Sequence, residues 1–218
     1  MEAILKLYQQ PYNPKRPLLC FDEKSVQLLA HIAQVLGMKA GQAARQDYEY
    51  KRNGTRNLFL FVEPKAGKRC VLLTQRRQKE QFAQCMRYLV DVLYPEAACI
   101  DLVMDNLNTH HFHSLVEFFG KAEADRIWNR LCIHFTPAHG SWLNMAEVEL
   151  SILSRQCLQR RLPDEWALQR QLLAWEQYSN DVECKIHWSF TVEDARLVFK
   201  EHYPTILEIL CSGFSDFL

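Results

Sequence analysis

The sequence predicts a mixed α/β fold in which one β-sheet is flanked by α-helices. Short apolar runs typical of strands alternate with segments whose apolar residues recur at helical spacing. One stretch rich in β-forming residues contains two glycine turn signals, which are typical of antiparallel strands. Amphipathic helical segments dominate the later part of the chain, and this combination is typical of layered α/β domains.

The first half of the chain carries most of the predicted strands. The run RPLLCFDEKS begins as a strand, and we predict that this strand ends at Asp22. Two turn signals, Asn53-Gly54 and Ala66-Gly67, divide the next β-rich segment into two antiparallel strands, with a third as the alternative. KEQFAQCMRYLVDVLYPE has the periodicity of a helix, and the apolar run CIDLVMD predicts a further strand.

The second half of the chain is mainly helical. HSLVEFFGKAEADRIWNRL predicts a helix broken at Gly120, and LCIHFTP predicts a strand that ends at Pro137. A long helix, SWLNMAEVELSILSRQCLQRRLP, is stopped by Pro163. Two more helices follow, and Thr191 with Asp194 forms an N-cap pair at the start of the last one. This order of elements is that of a ribonuclease H-like mixed sheet flanked by helices.

Composition limits the classes of function. The 218 residues are 48% hydrophobic and 24% charged, which is typical of one large globular domain. No apolar stretch is long enough to span a bilayer, and the first residues lack the pattern of a signal peptide, so we expect a cytoplasmic protein without a membrane partner. The eight cysteines are scattered without a CxxC pair, which predicts reduced thiols rather than a zinc or redox site.

The charge balance argues against strong, unaided binding to DNA. Lys plus Arg and Asp plus Glu each number 26, so the chain has no general basic character. The densest basic stretches are KAGKRCVLLTQRRQK and SRQCLQRRLP. Each is interpreted either as a solvated face or as a local nucleic-acid contact.

Two acidic residues occupy the ends of predicted strands. Asp22 follows the first apolar run, and Asp105 follows the run CIDLVMD. An aspartate in such a place can simply start a turn. In a mixed sheet whose first and fourth strands are parallel neighbours, however, the carboxyl ends of these strands lie together, and ligand chemistry gathers there.

A third acid is expected from the helix that contains NMAEVELS. Glu147 and Glu149 are the candidates, and helical spacing places them on different strips. Glu147 shares its strip with Ser151 and Ser154, whose small side chains leave room for a ligand. The spacing favours Glu147 only weakly, because exposed glutamates are common on helices.

Three converging carboxylates would repel one another unless a cation neutralised them. Ligation by oxygen alone is typical of Mg²⁺ and Mn²⁺. Two such ions about 4 Å apart can support phosphoryl transfer. The alternative is that all three acids are ordinary exposed residues at strand ends and on a helix.

Five blocks resemble, in order, those of the DDE-type transposases of bacterial insertion sequences, in the branch related to mariner elements. They are CFDEKS, NGTRNLFLFVEPKAG, LVMDNLNTHH, HFTPAHGSWLNMAEVELSILSRQCL and WSFTVEDARLVF. The resemblance implies metal-dependent cleavage and strand transfer of DNA, with transposon ends and target DNA as partners. It also implies that Asp22, Asp105 and Glu147 are the catalytic acids and hold two Mg²⁺ or Mn²⁺ ions, and that Glu149 is not one of them.

The same resemblance places further residues near the site or the DNA: Asn106, His110, His139, Ser141, Trp142 and Asn144. Structural alternatives exist for several of these. His110 could be a capped loop histidine, and a zinc cluster with its neighbouring histidines lacks suitable partners. Ser141 could cap the following helix, Trp142 could staple it, and Asn144 could bond locally.

The expected organisation is an N-terminal helix or linker (1–16), the catalytic domain (17–203) and a C-terminal tail (204–218). Full-length members of the resembled family carry helix-turn-helix domains before the catalytic core, and none fits upstream of Asp22. We therefore expect a truncated copy, one product of a split frame or an excised domain. Its partners would be a separate helix-turn-helix subunit or second frame and further copies of itself on DNA, in the bacterial cytoplasm at the nucleoid. The alternatives are a catalytically silent remnant that acts as an interaction protein, and a general ribonuclease H-like nuclease.

Overall fold

The computed structural model describes residues 1–32, 41 and 49–202, and the chain forms two compact units. One unit is Tyr12–His187, and the other combines Met1–Pro11 with the described residues from Trp188 onward. The expected C-terminal tail, residues 204–218, lies outside the described residues. None of the helices in the described ranges has the length and apolar character needed to cross a membrane.

Within the described residues, the larger unit contains the sheet and five α-helices. Its strands are β1 (Leu18–His31), β2 (Tyr50–Glu63), β3 (Lys68–Thr74), β4 (Ile100–Met104) and β5 (Leu131–Phe135). Helix α1 (Glu2–Gln9) belongs to the smaller unit, and the larger unit contributes α2 (Lys79–Tyr88), α3 (Phe112–Phe119), α4 (Lys121–Trp128), α5 (Met145–Cys157) and α6 (Glu165–Asp181). A π-helical turn at Leu89–Leu93 extends α2, and a 3₁₀ turn at Ser141–Leu143 precedes α5. The last helix, α7 (Val192–Val198), is again in the smaller unit.

The sheet is mixed, with the strand order β3-β2-β1-β4-β5. Strands β1, β2 and β3 pair antiparallel, whereas β4 pairs parallel to both β1 and β5. The prediction that the first and fourth strands are parallel neighbours is confirmed. Their carboxyl ends therefore point to the same edge of the sheet.

The prediction that the first strand ends at Asp22 is wrong, because β1 continues to His31. The parallel pairing with β4 stops at Cys20, but the antiparallel pairing with β2 continues and places Asp22 opposite Leu60. Asp22 therefore lies where β1 extends beyond its parallel neighbour. The long partner β2, which the sequence pattern underestimated, sustains the strand.

Only one of the two predicted turns is a turn. Gly67 has a φ of 71°, and its amide donates to Glu63 in the hairpin between β2 and β3. Asn53-Gly54, in contrast, lies inside β2, opposite the part of β1 where the register shifts between Gln27 and Leu29. The φ of 94° at Gly54 is accommodated in this irregular stretch, so the predicted turn there is wrong.

Helices that follow the strands in sequence pack against the sheet. Phe21, Phe59 and Phe61 form a buried cluster with Phe82 of α2 and with residues of α3 and α4. Helix α5 packs on β1 and β2, and α6 packs on β3. The predicted break at Gly120 is confirmed, since this residue has a φ of 80° and separates α3 from α4.

Two details of the helix boundaries differ from the sequence prediction. Asn144, not Ser141, caps α5, because its side chain accepts from the amide of Ala146. The helix ends at Cys157, before Pro163 is reached. In the part of the chain that the structure describes, the cysteines are free, as predicted, although Cys184 is exposed rather than buried.

The smaller unit contains α1 and α7, which contact each other. Arg196 pairs with Glu2 at 2.7 Å, and the rings of Tyr8 and Trp188 lie 5.1 Å apart. The predicted N-cap pair at Thr191 is confirmed as a full capping box with Asp194.

Candidate active site

Asp22 and Glu147 line one cavity of about 460 Å³. Asp22 belongs to β1, and Glu147 lies in the first turn of α5, where it is exposed. Ser151 and Ser154 line the same cavity, so the small-residue strip of α5 faces it. The helix strip that the spacing favoured is therefore the strip that meets the strand.

A buried histidine connects Asp105 to Glu23, the residue after Asp22. The ring of His110 is fully buried, with Nδ1 at 2.6 Å from Asp105 Oδ1 and Nε2 at 3.1 Å from Glu23 Oε2. The side chain of Glu23 is only 3% exposed, whereas that of Asp105 is 45% exposed. Asp105 thus has a buried support on one side and access to solvent on the other.

The charges of Asp105 and Glu147 act on Asp22. Burial raises the pKa of Asp22 to about 7, and the negative charges of Glu23, Asp105 and Glu147 act in the same direction. The contact with His110 lowers the pKa of Asp105. Burial acts to lower the pKa of His110, but its contacts with Asp105 and Glu23 outweigh this and raise it to about 9. A cation beside Asp22 would therefore favour its charged form.

Asn144 joins the helix of Glu147 to the strand of Asp22. Its side-chain oxygen caps α5, and its Nδ2 donates to the carbonyl oxygen of Phe21 at 2.9 Å. The side chain is buried, so both bonds are shielded from water. This one residue fixes the start of α5 beside the residue that precedes Asp22.

Glu149 lies away from the cavity, in a buried ion pair. Its Oε1 is 2.9 Å from Arg69 Nε, and both side chains are at most 4% exposed. Arg69 also donates to the carbonyl oxygens of Gly67 and Cys184. The geometry therefore gives Glu149 a structural partner and leaves Glu147 at the cavity.

Comparison with protein families identifies the chain. The family model described as DDE superfamily endonuclease matches residues 17–169, which include β1, β4 and α5 with all three acids. The chain belongs to the DDE superfamily endonucleases. A comparison with curated protein sequences gave no significant match.

Solved structures show where this DDE endonuclease fold recurs. The chain is similar to the Mos1 mariner paired-end complex with Mn, at 15% identity and a TM-score of 0.56, over 84% of this chain and 54% of that one. It is also similar to the Mos1 strand transfer complex, at 14% identity and a TM-score of 0.54, with the same coverage of 84% and 54%. The chain thus spans less than two thirds of the solved chains. These likenesses confirm the predicted ribonuclease H-like fold.

The remaining predicted residues of the DDE endonuclease site lie at its surface. Asn106 follows Asp105 and is exposed. His139 is exposed and has a φ of 61°, and Ser141 and Trp142 form the 3₁₀ turn before α5. Among the residues predicted between β5 and α5, Asn144 is thus the buried one.

A second group of potential metal ligands lies elsewhere in the DDE endonuclease domain. Three side chains each place one potential ligand atom within 4.8 Å of the other two: Asp101, Cys132 and His134. Arg16 already contacts both oxygens of Asp101, at 2.6 and 2.9 Å, and His134 Nε2 lies 2.9 Å from Oδ1. Burial acts to raise the pKa of Asp101, but the contacts with Arg16 and His134 lower it. An ion-pair network accounts for this group.

Sequence reasoning missed several residues of the site. The sequence pattern did not single out Glu23. Strand alternation places it on the opposite face of β1 from Asp22. Lys24 and Arg155 line the cavity of Asp22 and Glu147, and Arg77 lies 3.8 Å from Glu23. Arg77 and Arg155 belong to the two basic stretches of the sequence, but only the folded chain brings them to the acids.

Proposed function

We propose that this DDE endonuclease domain is the catalytic domain of a transposase, of the insertion-sequence branch related to mariner elements. The proposal is carried by one observation, the meeting of Asp22 and Glu147 in one cavity within the electrostatic reach of Asp105. The family match over residues 17–169 supports an endonuclease activity on the same residues. The similar Mos1 structures are a paired-end complex and a strand transfer complex, which motivates the extension to transposition.

The acids fit a divalent cation. Their ligand atoms are all carboxylate oxygens, which suit Mg²⁺ and Mn²⁺. The pKa of Asp22 is raised mainly by burial, and the negative charges of neighbouring acids add to this; a bound cation would favour the charged carboxylate against both effects. Asp22, Asp105 and Glu147 would hold the metal, and we propose two Mg²⁺ or Mn²⁺ ions. When bound, these ions stabilise the charge that develops in phosphoryl transfer.

The proposed reaction has two phosphoryl-transfer steps, a hydrolysis followed by a transesterification. In the first, water attacks the phosphodiester at the transposon end, the bond between phosphorus and O3′ breaks, and a 3′-hydroxyl is released. In the second, this hydroxyl attacks a phosphodiester of the target DNA, forms a new bond to phosphorus and displaces the 3′-oxygen of the target. No covalent intermediate with the protein is required.

Other residues of the cavity would bind and orient the DNA. Lys24 and Arg155 line it together with Asp22 and Glu147, and their charges suit phosphate oxygens. Asn144 would keep Glu147 in register with Asp22 through its two buried hydrogen bonds. The net charge of zero supports assigning the recognition of transposon ends to a helix-turn-helix region or partner, with copies assembling on the DNA.

The test compares wild-type protein with Asp105→Asn on supercoiled DNA that carries inverted repeats. We expect Mg²⁺- or Mn²⁺-dependent cleavage that leaves 3′-hydroxyl ends and is lost in Asp105→Asn. Glu63→Gln, which alters a buried carboxylate that accepts from Tyr94, is the matched control and should cleave normally. Full activity in Asp105→Asn would refute the metal assignment. A wild-type protein that cleaves nothing, even with a helix-turn-helix partner supplied, would favour the silent remnant.

A further inference from the structure

We infer that Glu23 and His110 are positioning residues, which hold the carboxylate of Asp105 in the orientation needed to bind a divalent cation. This inference rests on the proposed function, because it assumes that Asp105 is a metal ligand. Its basis is the chain of contacts from Glu23 through the buried His110 ring to Asp105, at 3.1 and 2.6 Å. Neither residue is proposed to contact the DNA or the cation.

The position of the His110 ring is fixed by packing. The ring stacks on Phe82 with centroids 4.8 Å apart and meets the edge of Phe21 at 5.4 Å. The backbone amide of His110 donates to the carbonyl oxygen of Leu107, which anchors the loop after β4. With its ring and backbone both held, His110 can fix the carboxylate that its Nδ1 contacts.

The burial of Glu23 has a cost that packing alone does not explain. A carboxylate removed from water needs charged or hydrogen-bonding partners, and an apolar residue beside Phe21 would avoid that requirement. The contacts recorded for this carboxylate are His110, at 3.1 Å, and Arg77, at 3.8 Å. What the buried glutamate gains is a His110 ring with an acid beside each nitrogen. Nε2 lies beside Glu23, and Nδ1 lies 2.6 Å from the carboxylate of Asp105 and 3.2 Å from the carbonyl oxygen of the same residue, so the ring contacts Asp105 at two points.

Glu23 also contacts Asp22, the acid that precedes it on β1. Its backbone amide donates to Asp22 Oδ1 at 2.8 Å, while its side chain points to the opposite face of β1 and reaches His110. A single residue therefore orients Asp22 through its backbone and Asp105 through its side chain. Groups that orient metal-binding carboxylates typically change metal affinity or activity about 10- to 100-fold when they are replaced.

The experiment measures the affinity of the purified protein for Mn²⁺, independently of any cleavage. Titration of Mn²⁺ with detection of the free ion by electron paramagnetic resonance gives this affinity. We expect Glu23→Gln and His110→Gln to weaken Mn²⁺ binding about 10-fold or more. His110→Asn should retain more affinity than His110→Gln, because the asparagine amide nitrogen can occupy the place of Nδ1 and still donate to Asp105.

Two further variants make the result decisive. Glu63→Gln changes a carboxylate that is equally buried but accepts from Tyr94, and it should bind Mn²⁺ like the wild type. Asp105→Asn tests the proposed function itself and should bind Mn²⁺ weakly. If the His110 variants do not fold, as judged by circular dichroism, Glu23→Gln alone decides, since its amide has nearly the shape of the carboxylate.

The outcomes separate the two proposals. Normal Mn²⁺ affinity in Glu23→Gln and His110→Gln, together with a loss in Asp105→Asn, would overturn the positioning role and leave the metal assignment intact. Normal affinity in Asp105→Asn would overturn the metal assignment, and the positioning role with it. The inference would be established by weakened Mn²⁺ binding in both Glu23→Gln and His110→Gln. His110→Asn should then show a smaller loss, and Glu63→Gln should show no loss.

Discussion

Glu147 and Glu149 lie two residues apart on α5 and have opposite environments. Glu147 is exposed and lines a cavity with Asp22, whereas Glu149 is buried against Arg69 at 2.9 Å. A helix turns by about 100° per residue, so two positions of separation are enough to direct the carboxylates to different sides. One helix can therefore supply both an acid for chemistry and an acid for structure.

The difference shows what distinguishes the two kinds of acid. Glu149 has a permanent cation in Arg69, and removing either partner leaves an uncompensated buried charge. Glu147 instead faces a cavity where the negative charges of neighbouring acids help to raise the pKa of Asp22. A cavity in which a buried acid meets the negative charges of neighbouring acids can accept an external cation, and this is the physical basis of the proposed metal site.

The largest expected effect is on activity, in Glu147→Gln. Losing one carboxylate of the proposed metal site should reduce DNA cleavage at least about 1000-fold, equivalent to about 4 kcal/mol of transition-state stabilisation. Because the side chain is exposed, the melting temperature without metal should stay close to that of the wild type. Cleavage rates and thermal melting would be measured on the same preparation. Wild-type rates in this variant would assign the chemistry to other residues.

The converse variant, Glu149→Gln, should lose stability rather than chemistry. Leaving Arg69 without its buried partner should cost roughly 3–5 kcal/mol in the free energy of unfolding. Urea denaturation measures this cost, and cleavage at low temperature tests the fraction that remains folded. Replacing both partners by apolar residues, as in Arg69→Met with Glu149→Leu, should be less harmful than the single change. A stable but inactive Glu149→Gln would reverse the comparison.

The third prediction concerns Asp22 and the dependence of stability on pH in the metal-free protein. Its folded-state pKa is about 7 against an ordinary value of 3.8, so proton binding stabilises the folded state. This stabilisation is complete below the ordinary value and is lost as the pH rises towards 7. Asp22→Asn should therefore match the wild type in acid and exceed its free energy of unfolding by at most roughly 4 kcal/mol at about pH 8.

Urea denaturation in the presence of a chelator, repeated at several pH values, measures this difference. Added Mg²⁺ should stabilise the wild type at about pH 8, because the cation neutralises the charged Asp22 carboxylate. It should have little effect on Asp22→Asn, because the substitution has already removed that charge. A stability difference that stays constant with pH would mean that Asp22 titrates normally.

The smallest expected effect is on DNA affinity. Arg155→Ala and Lys24→Ala each remove one cation from the cavity, so each should weaken DNA binding about 3- to 10-fold and reduce the salt slope by about one. Lys121→Ala, which removes an exposed lysine paired with Asp125 on α4, is the matched surface control. Titrations at several salt concentrations measure both quantities. An equal effect of Lys121→Ala would show that the cavity cations have no special role.

The sequence pattern predicted much of the fold because its signals are local. Apolar periodicity located the helices, Gly67 marked the hairpin, Gly120 marked the break between α3 and α4, and Thr191 marked the start of α7. The pattern failed where a distant partner decided the outcome. β1 extends past Asp22 because β2 pairs with it, and Asn53-Gly54 is held inside a strand for the same reason.

For the candidate site, the chemical types were predictable and the contacts were not. The strand runs before Asp22 and Asp105 and the serine strip of Glu147 drew attention to these three acids, and the family resemblance completed the choice. Glu23 gave no such signal, since an acid next to an acid in a strand resembles any exposed pair. Its partner His110 lies far along the chain, and their contact depends on how the loop after β4 packs against Phe21 and Phe82.

By itself, the sequence determined which residues could carry charge at the edge of the sheet, because hydrophobic periodicity places strand and helix residues by local rules. Tertiary structure alone decided which of those charges are neutralised within the protein. Arg69 reaches Glu149 and Arg16 reaches Asp101, so these acids are structural, whereas Asp22 and Glu147 face a common cavity. The physical reason is that charge pairing depends on distances of a few ångströms between residues far apart in the chain, which no local pattern encodes.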